Sequence, residues 1–249
     1  MKRYLLIFIL VLIPSIVAAQ GVGIPARHVI DSPTASTLPY ASFDFSLRFF
    51  PNGGLLAGVN VGLNDRLMVG VSYGGVNVIG QGKINWHPFA GASVHYRLLE
   101  EITALPGITI GFKSQGQGSY FEELKRFERK SLGIFGVSSK SYSFLAGLNV
   151  HLGLNYSLQT GDQDKGMNVF TGMELSLRPE FSFMSEFDFA LNDNNALALG
   201  EGKGFLNVGA RYVIKDAVYF EVYLIDIFEN ITGNFQRAVK ITYLELFKI

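Results

Sequence analysis

The stretch FLAGLNVHLGLNYSL, residues 144–158, alternates apolar and polar side chains almost without a break. Phe144, Ala146, Leu148, Val150, Leu152, Leu154, Tyr156 and Leu158 share one face, and Gly147, Asn149, His151, Gly153, Asn155 and Ser157 share the other. A period of two is the signature of a β-strand. A half-buried soluble strand rarely carries so long and even an apolar face, whereas a tilted strand crossing a bilayer needs roughly 9–11 residues with apolar atoms toward lipid. The stretch therefore predicts one stave of a membrane barrel.

The same period recurs on both sides of it. Starting at Tyr40, strands are predicted near 40–49, 55–63, 67–73, 90–97, 108–114 and 131–139, the last with weak alternation. After the central stretch come 167–177, 181–191, 205–214, 218–227 and 237–247, which makes twelve. The predicted fold is an all-β, antiparallel transmembrane β-barrel of about twelve strands over residues 40–249. An even count puts both chain ends on one side. Connections on that side are short, at Asn64 and Asp65, 140–143, 178–180, and Lys215 and Asp216, with 99–107 longer; those at 74–87, 115–130 and 192–204 on the other side are longer still. Short periplasmic turns opposite longer external loops are the outer-membrane pattern. Within the external side, YFEELKRFERK at 120–130 reads as a solvated, charged loop, with a short helix as the other reading. Tyr40, Phe49, Tyr73, Tyr96, Tyr156, Tyr212 and Tyr243 suit interfacial girdles.

Composition narrows the class further. Lys2 and Arg3 precede an apolar run that ends in Ala18 and Ala19, the layout of a secretory signal peptide over residues 1–19. Residues 20–39 are rich in Gly, Pro and Ser and read as a periplasmic lead-in that covers or partly enters the barrel. The 21 basic and 21 acidic residues balance, which removes the electrostatic argument for a nucleic-acid partner. With no cysteine there is no disulfide, thiolate metal site or acylated N-terminal Cys. A secreted chain of amphipathic strands fits the bacterial outer membrane, with its lipid as the surrounding partner. A soluble β-sandwich or lipocalin-like barrel would turn polar faces outward; here the polar face carries the glycines and charges of an interior.

Eleven lumen-facing residues form the candidate site: Asp44, Arg48, Arg97, Lys113, His151, Glu174, Glu186, Asp188, Arg211, Glu221 and Lys240. Hairpin symmetry places His151 opposite Glu174, Glu186 near Arg211, and Arg211 near Glu221. Such interleaved charge serves either as a constriction that selects solutes or as a neutral filling of the lumen. His28, His87, His95 and His151 lack metal-ligand spacing, and no phosphate-cradling loop is present, so neither metal nor cofactor is expected. His151 beside Glu174 could orient a base, but no serine stands out as its nucleophile; the expected class is non-enzymatic.

The segments RLLEE at 97–101, LPGITIGF at 105–112 and SQGQG at 114–118 resemble those of the YjbH-like bacterial outer-membrane β-barrel family. SSK at 138–140, HLGLN at 151–155, EFD at 186–188 and LNVG at 206–209 extend the likeness over most of residues 21–247. The resemblance implies an outer-membrane location and, in some members, association with exopolysaccharide production or secretion; it brings no catalytic residues. Unlike larger members, this chain is short enough for one barrel and lacks a lipidated cysteine. The leading expectation is a narrow, porin-like channel or an accessory in envelope or exopolysaccharide export, with polysaccharide or export machinery as partner. Two alternatives are a closed structural or surface-interaction barrel acting through its external loops and an outer-membrane lipid hydrolase.

Overall fold

A computed structural model describes residues 25–231 and 233–247. The expected signal peptide and the first five residues of the lead-in lie outside the described residues. In chain order the strands are β1 (Ser42–Phe50), β2 (Gly54–Asn64), β3 (Leu67–Val76), β4 (Asn85–Trp86), β5 (Gly91–Leu99), β6 (Gly107–Lys113), β7 (Gln117–Phe121) and β8 (Arg126–Arg129). They continue with β9 (Gly133–Tyr142), β10 (Gly147–Tyr156), β11 (Asn168–Arg178), β12 (Phe181–Asp188), β13 (Phe205–Ile214), β14 (Val218–Ile225) and β15 (Gln236–Leu246). Twelve of them form one antiparallel ring, each pairing with its neighbour in sequence order; β1 pairs with β15 and β2 with β3, so the sheet closes on itself. Closure satisfies the backbone of every strand without water, the condition for a sheet to stand in hydrocarbon.

The deciding stretch settles as β10. Val150, Leu152 and Leu154 are exposed on the outer face, while His151, Gly153 and Asn155 are buried inside. Its first residues turn instead of pairing, with Leu145 in the left-handed region. The weakly patterned sixth strand is β9, and it alternates cleanly in the structure. The start of β1 and the end of β15 lie on one side together with the short turns after β2, β9, β11 and β13, and a further short turn at 51–53 lies on the other. At 215–217, Lys215 and Asp216 both have positive φ and the Ala217 amide donates to the Ile214 carbonyl, a turn whose twist matches a hairpin.

Residues 120–130 differ from both readings of the sequence. They are not helical, and only their turn is solvated: Glu122, Glu123 and Lys125 are exposed, but β7 and β8 form a hairpin in which Arg126 and Phe127 are fully buried. Phe127 packs edge-on against His87, Phe89 and Tyr120, and this apolar contact outweighs the solvation of the charged run. β8 reaches across the mouth, where Gln236 of β15, on the far side of the ring from β6 and β9, donates to Glu128 at 2.7 Å.

The lead-in enters the barrel. Arg27, Val29, Ile30, Ser32, Thr34, Ala35, Thr37 and Leu38 are all buried, and their apolar members supply the core. Val29 and Ile30 pack with Met184, Tyr223 and Ile225; Ala35 packs with Phe135, Val137 and Phe170; Leu38 packs with Met68, Tyr219 and Leu244. Burying each larger aliphatic of the segment contributes about 1.5–3 kcal/mol. Two wall glycines make the room: a Cβ at Gly172 would lie 2.8 Å from Val29, and one at Gly62 only 2.0 Å from the Pro39 carbonyl oxygen. At these positions the inward glycines of the wall admit the plug. Gly62→Ala is therefore expected to displace the segment and leave the ring intact. Limited proteolysis of the refolded protein should show faster cleavage within residues 25–39 at unchanged heat-modifiable electrophoretic mobility.

Candidate functional site

The plug is held by its backbone. Residues 27–34 fold into a small antiparallel bend, with the Val29 amide donating to the Ser32 carbonyl and the Thr34 amide to the Arg27 carbonyl, both at 3.0 Å. The bend turns three successive amides toward β12. Ile30, Asp31 and Ser32 donate to the Glu186 carboxylate at 3.1, 2.9 and 2.9 Å, and Asn207 of β13 donates to it at 2.8 Å. Opposite charge comes from Arg211, whose Nη2 donates to the His28 and Val29 carbonyls at 2.9 and 3.2 Å. The same guanidinium binds Glu221 through Nε at 2.7 Å and Glu174 through Nη1 at 2.6 Å. A planar fork with five donors is what lets one side chain tie two carboxylates and two carbonyls.

Asp31 is where plug, wall and cap meet. Its carboxylate pairs with Arg48 of β1 and, at 2.6 Å, with Arg129 of β8. Arg48 also lies over the Tyr223 ring, 5.5 Å from its centroid. Nearby, Arg27 pairs with Asp44 at 2.8 Å, and Asn60 donates to Asp44 at the same distance. The hairpin is fastened outside the strands by Arg126, which donates to Asp162 at 2.6 Å and to Asp193 at 2.5 and 2.6 Å. Burial alone would disfavour that cation, but the hydrogen bonds and charges of Asp193 and Asp162 raise its pKa and hold it ionised. Lys130 adds bonds to Asp162 and to the Asn192 carbonyl. His87, in the neighbouring loop, has its pKa lowered by burial and faces Gln115.

The remaining predicted residues are placed unevenly. His151 lies opposite Gly172, and Glu174 opposite Asn149, a two-residue offset from the expected pairing. Its Nδ1 instead meets Ser139 Oγ at 2.7 Å, and that oxygen also accepts the Ala35 amide at 2.8 Å, so the pair fastens the plug. Glu186 pairs with Asn207, and Arg211 with Ser182, so those two are also offset. Arg211 does sit directly across from Glu221. The physical reason lies in the connections: the turn at 215–217 dictates register, whereas the loops at 157–167 and 189–204 leave it free. Asp188 accepts from Asn168 and the Ala190 amide. Lys240 reaches Glu221 at 3.8 Å, and Lys113 lines the free space of the lumen. Arg97 stands apart from this network. It lies near the end of β5, still in register with Thr109 and just before a bulge, and donates to the Asp65 carbonyl at 2.6 Å.

Sequence reasoning left out Arg27, Asp31, Arg126 and Arg129, because strand alternation identifies only residues on strands of the wall. The signal available was charge within an otherwise small and polar lead-in, and within a run that contains Phe127. Among the spaces that the plug and hairpin leave open are two cavities, of about 100 and 40 Å³. They share Lys113, Gln115 and Gln117.

No family model matches the chain, and no curated protein does. Among solved structures it is similar to the KdgM porin, with a TM-score of 0.51 and 10% identity over 81% of this chain and 98% of that one. The KdgM porin in complex with disordered oligogalacturonate matches at a TM-score of 0.50, again with 10% identity over 81% and 98% of the two chains. The fold is that of an outer-membrane β-barrel. A further match, the outer membrane protein Omp33 of Acinetobacter baumannii, has a TM-score of 0.46 and 9% identity over 84% of this chain and 99% of that one.

Arg211→Ala would leave Glu174 and Glu221 buried without their shared cation. Removing one partner of such a cluster costs roughly 3–5 kcal/mol. Urea unfolding of the barrel refolded in lipid vesicles, read by electrophoretic mobility, should show a loss of that size, with Arg211→Lys intermediate because it keeps the charge without the fork.

Proposed function

We propose that the protein is a narrow outer-membrane channel for small polar solutes whose resting state is closed by its own N-terminal segment. The observation that carries this reading is that the lumen is filled by a separable piece of chain. None of the twelve strand pairings involves residues 25–39, so the wall is complete without them. The groups that hold the segment, Glu186, Arg211, Arg48 and Ser139, are polar, and water or a polar solute replaces such bonds at modest net cost. Side chains of the wall that filled the lumen themselves could not leave it; a tethered segment can.

Single-channel recording in planar bilayers tests this. The full chain should give rare, small openings. A variant lacking residues 25–38, and Glu186→Ala, should give steady conductance or a much higher open probability. A folded barrel that lacks the segment and still passes no current would remove the channel from consideration.

That outcome would favour a second reading, a closed barrel that acts through its external face. Its support is the ordered cap, in which Arg126 and Lys130 tie the hairpin to the loops at 157–167 and 189–204. The accessory role in envelope or exopolysaccharide export implied by the YjbH-like resemblance belongs to this reading, with polysaccharide or export machinery as the partner.

A further inference from the structure

The larger cavity has a wall whose charge its own residues do not balance. Arg27, Arg48, Lys113 and Lys240 line it against a single carboxylate, Asp44. Arg48 is taken up by Asp31, and Asp44 by Arg27 and Asn60. What remains is unspent donor capacity. Lys113 makes no hydrogen bond or ion pair among the described residues, and Lys240 has only Glu221 at 3.8 Å, a carboxylate already bound by Arg211. Arg27 Nη1 and the Thr242 hydroxyl are buried without a partner among the described residues, on residues 7% and 4% exposed.

Four unspent donors of this kind, three of them cationic, call for an anion with several acceptor positions. A carboxylate offers two oxygens and about four lone-pair sites, one for each donor. The space agrees with a small one. A single water needs roughly 10–15 Å³ of such volume, so about 100 Å³ admits a formate or acetate with a few waters. Two ammonium groups held close in a partly desolvated cavity are costly unless an opposite charge joins them.

We propose that the cavity between Arg27, Lys113, Lys240 and Thr242 binds a small carboxylate anion. The binding stands on the cavity itself; its consequence, selection for anions, rests on the channel reading. Lys113 also lines the second cavity, so a solute that passes from one to the other does so beside it. A carboxylate there would contact the wall through β6 and β15 and the plug through Arg27, so its occupancy also bears on how firmly the segment sits.

Titration of the refolded full chain in detergent micelles with sodium acetate, by calorimetry at constant ionic strength, tests the site. Saturable binding of one acetate per chain is expected. It should weaken by at least about tenfold in Lys113→Met and in Lys240→Met, as loss of a charge-assisted hydrogen bond requires, and persist in Arg97→Ala at the rim. Thr242→Val, which leaves every charge in place, should weaken it less and serves if a lysine variant fails to fold. Absence of saturable binding in the native chain, or equal binding in both lysine variants, would overturn the proposal. Binding by a barrel that never conducts would keep the site and lose the channel, while conduction without acetate binding would do the reverse.

Discussion

The structure depends on one constraint, that a sheet in hydrocarbon can leave no backbone hydrogen bond unmade. Pairing of β1 with β15 and of β2 with β3 meets it by joining the ends of a twelve-stranded sheet. The ring in turn sets the next problem. A closed wall of this size encloses more volume than its own side chains fill, and the inward face, denied lipid, carries the charges. Everything else in the molecule answers to that enclosed polar space.

Two pieces of chain answer it from opposite ends. The N-terminal segment enters from the periplasmic side, and the β7–β8 hairpin folds over the external mouth. They meet at Asp31, between Arg48 of the wall and Arg129 of the hairpin. Apolar contacts give the segment affinity for the interior, through Val29, Ile30, Ala35 and Leu38. Polar contacts give it one position, since Glu186 accepts amides only from a bend of the right shape.

Charge in the lumen is uneven. Around Glu186, Arg211 and Asp31 almost every donor and acceptor is used. Around Lys113 and Lys240 donors are in excess, whereas the Glu186 carboxylate on β12 is hydrogen-bonded by amides and makes no ion pair among the described residues. In the cavity on that cationic side, a carboxylate would find the partners that the protein itself does not provide.

Alternation along single strands was enough to determine the all-β class, the strand count, which residues face lipid and which face the lumen, and the side carrying the short turns. The physical reason is that a strand in a closed sheet between lipid and water-filled interior repeats every two residues, and that repeat is local. Arg211 and Glu221 could be paired from sequence because a tight turn transmits register across a hairpin. His151 and Glu174 could not, because an eleven-residue connection at 157–167 leaves register to the rest of the fold. The burial of Phe127 and Arg126, the seat of Ile30 to Ser32 on Glu186, and the removal of Arg97 to the rim were decided by tertiary structure alone. These contacts join residues more than a hundred positions apart, or bulges and loops with no period, and only the closed ring brings them together.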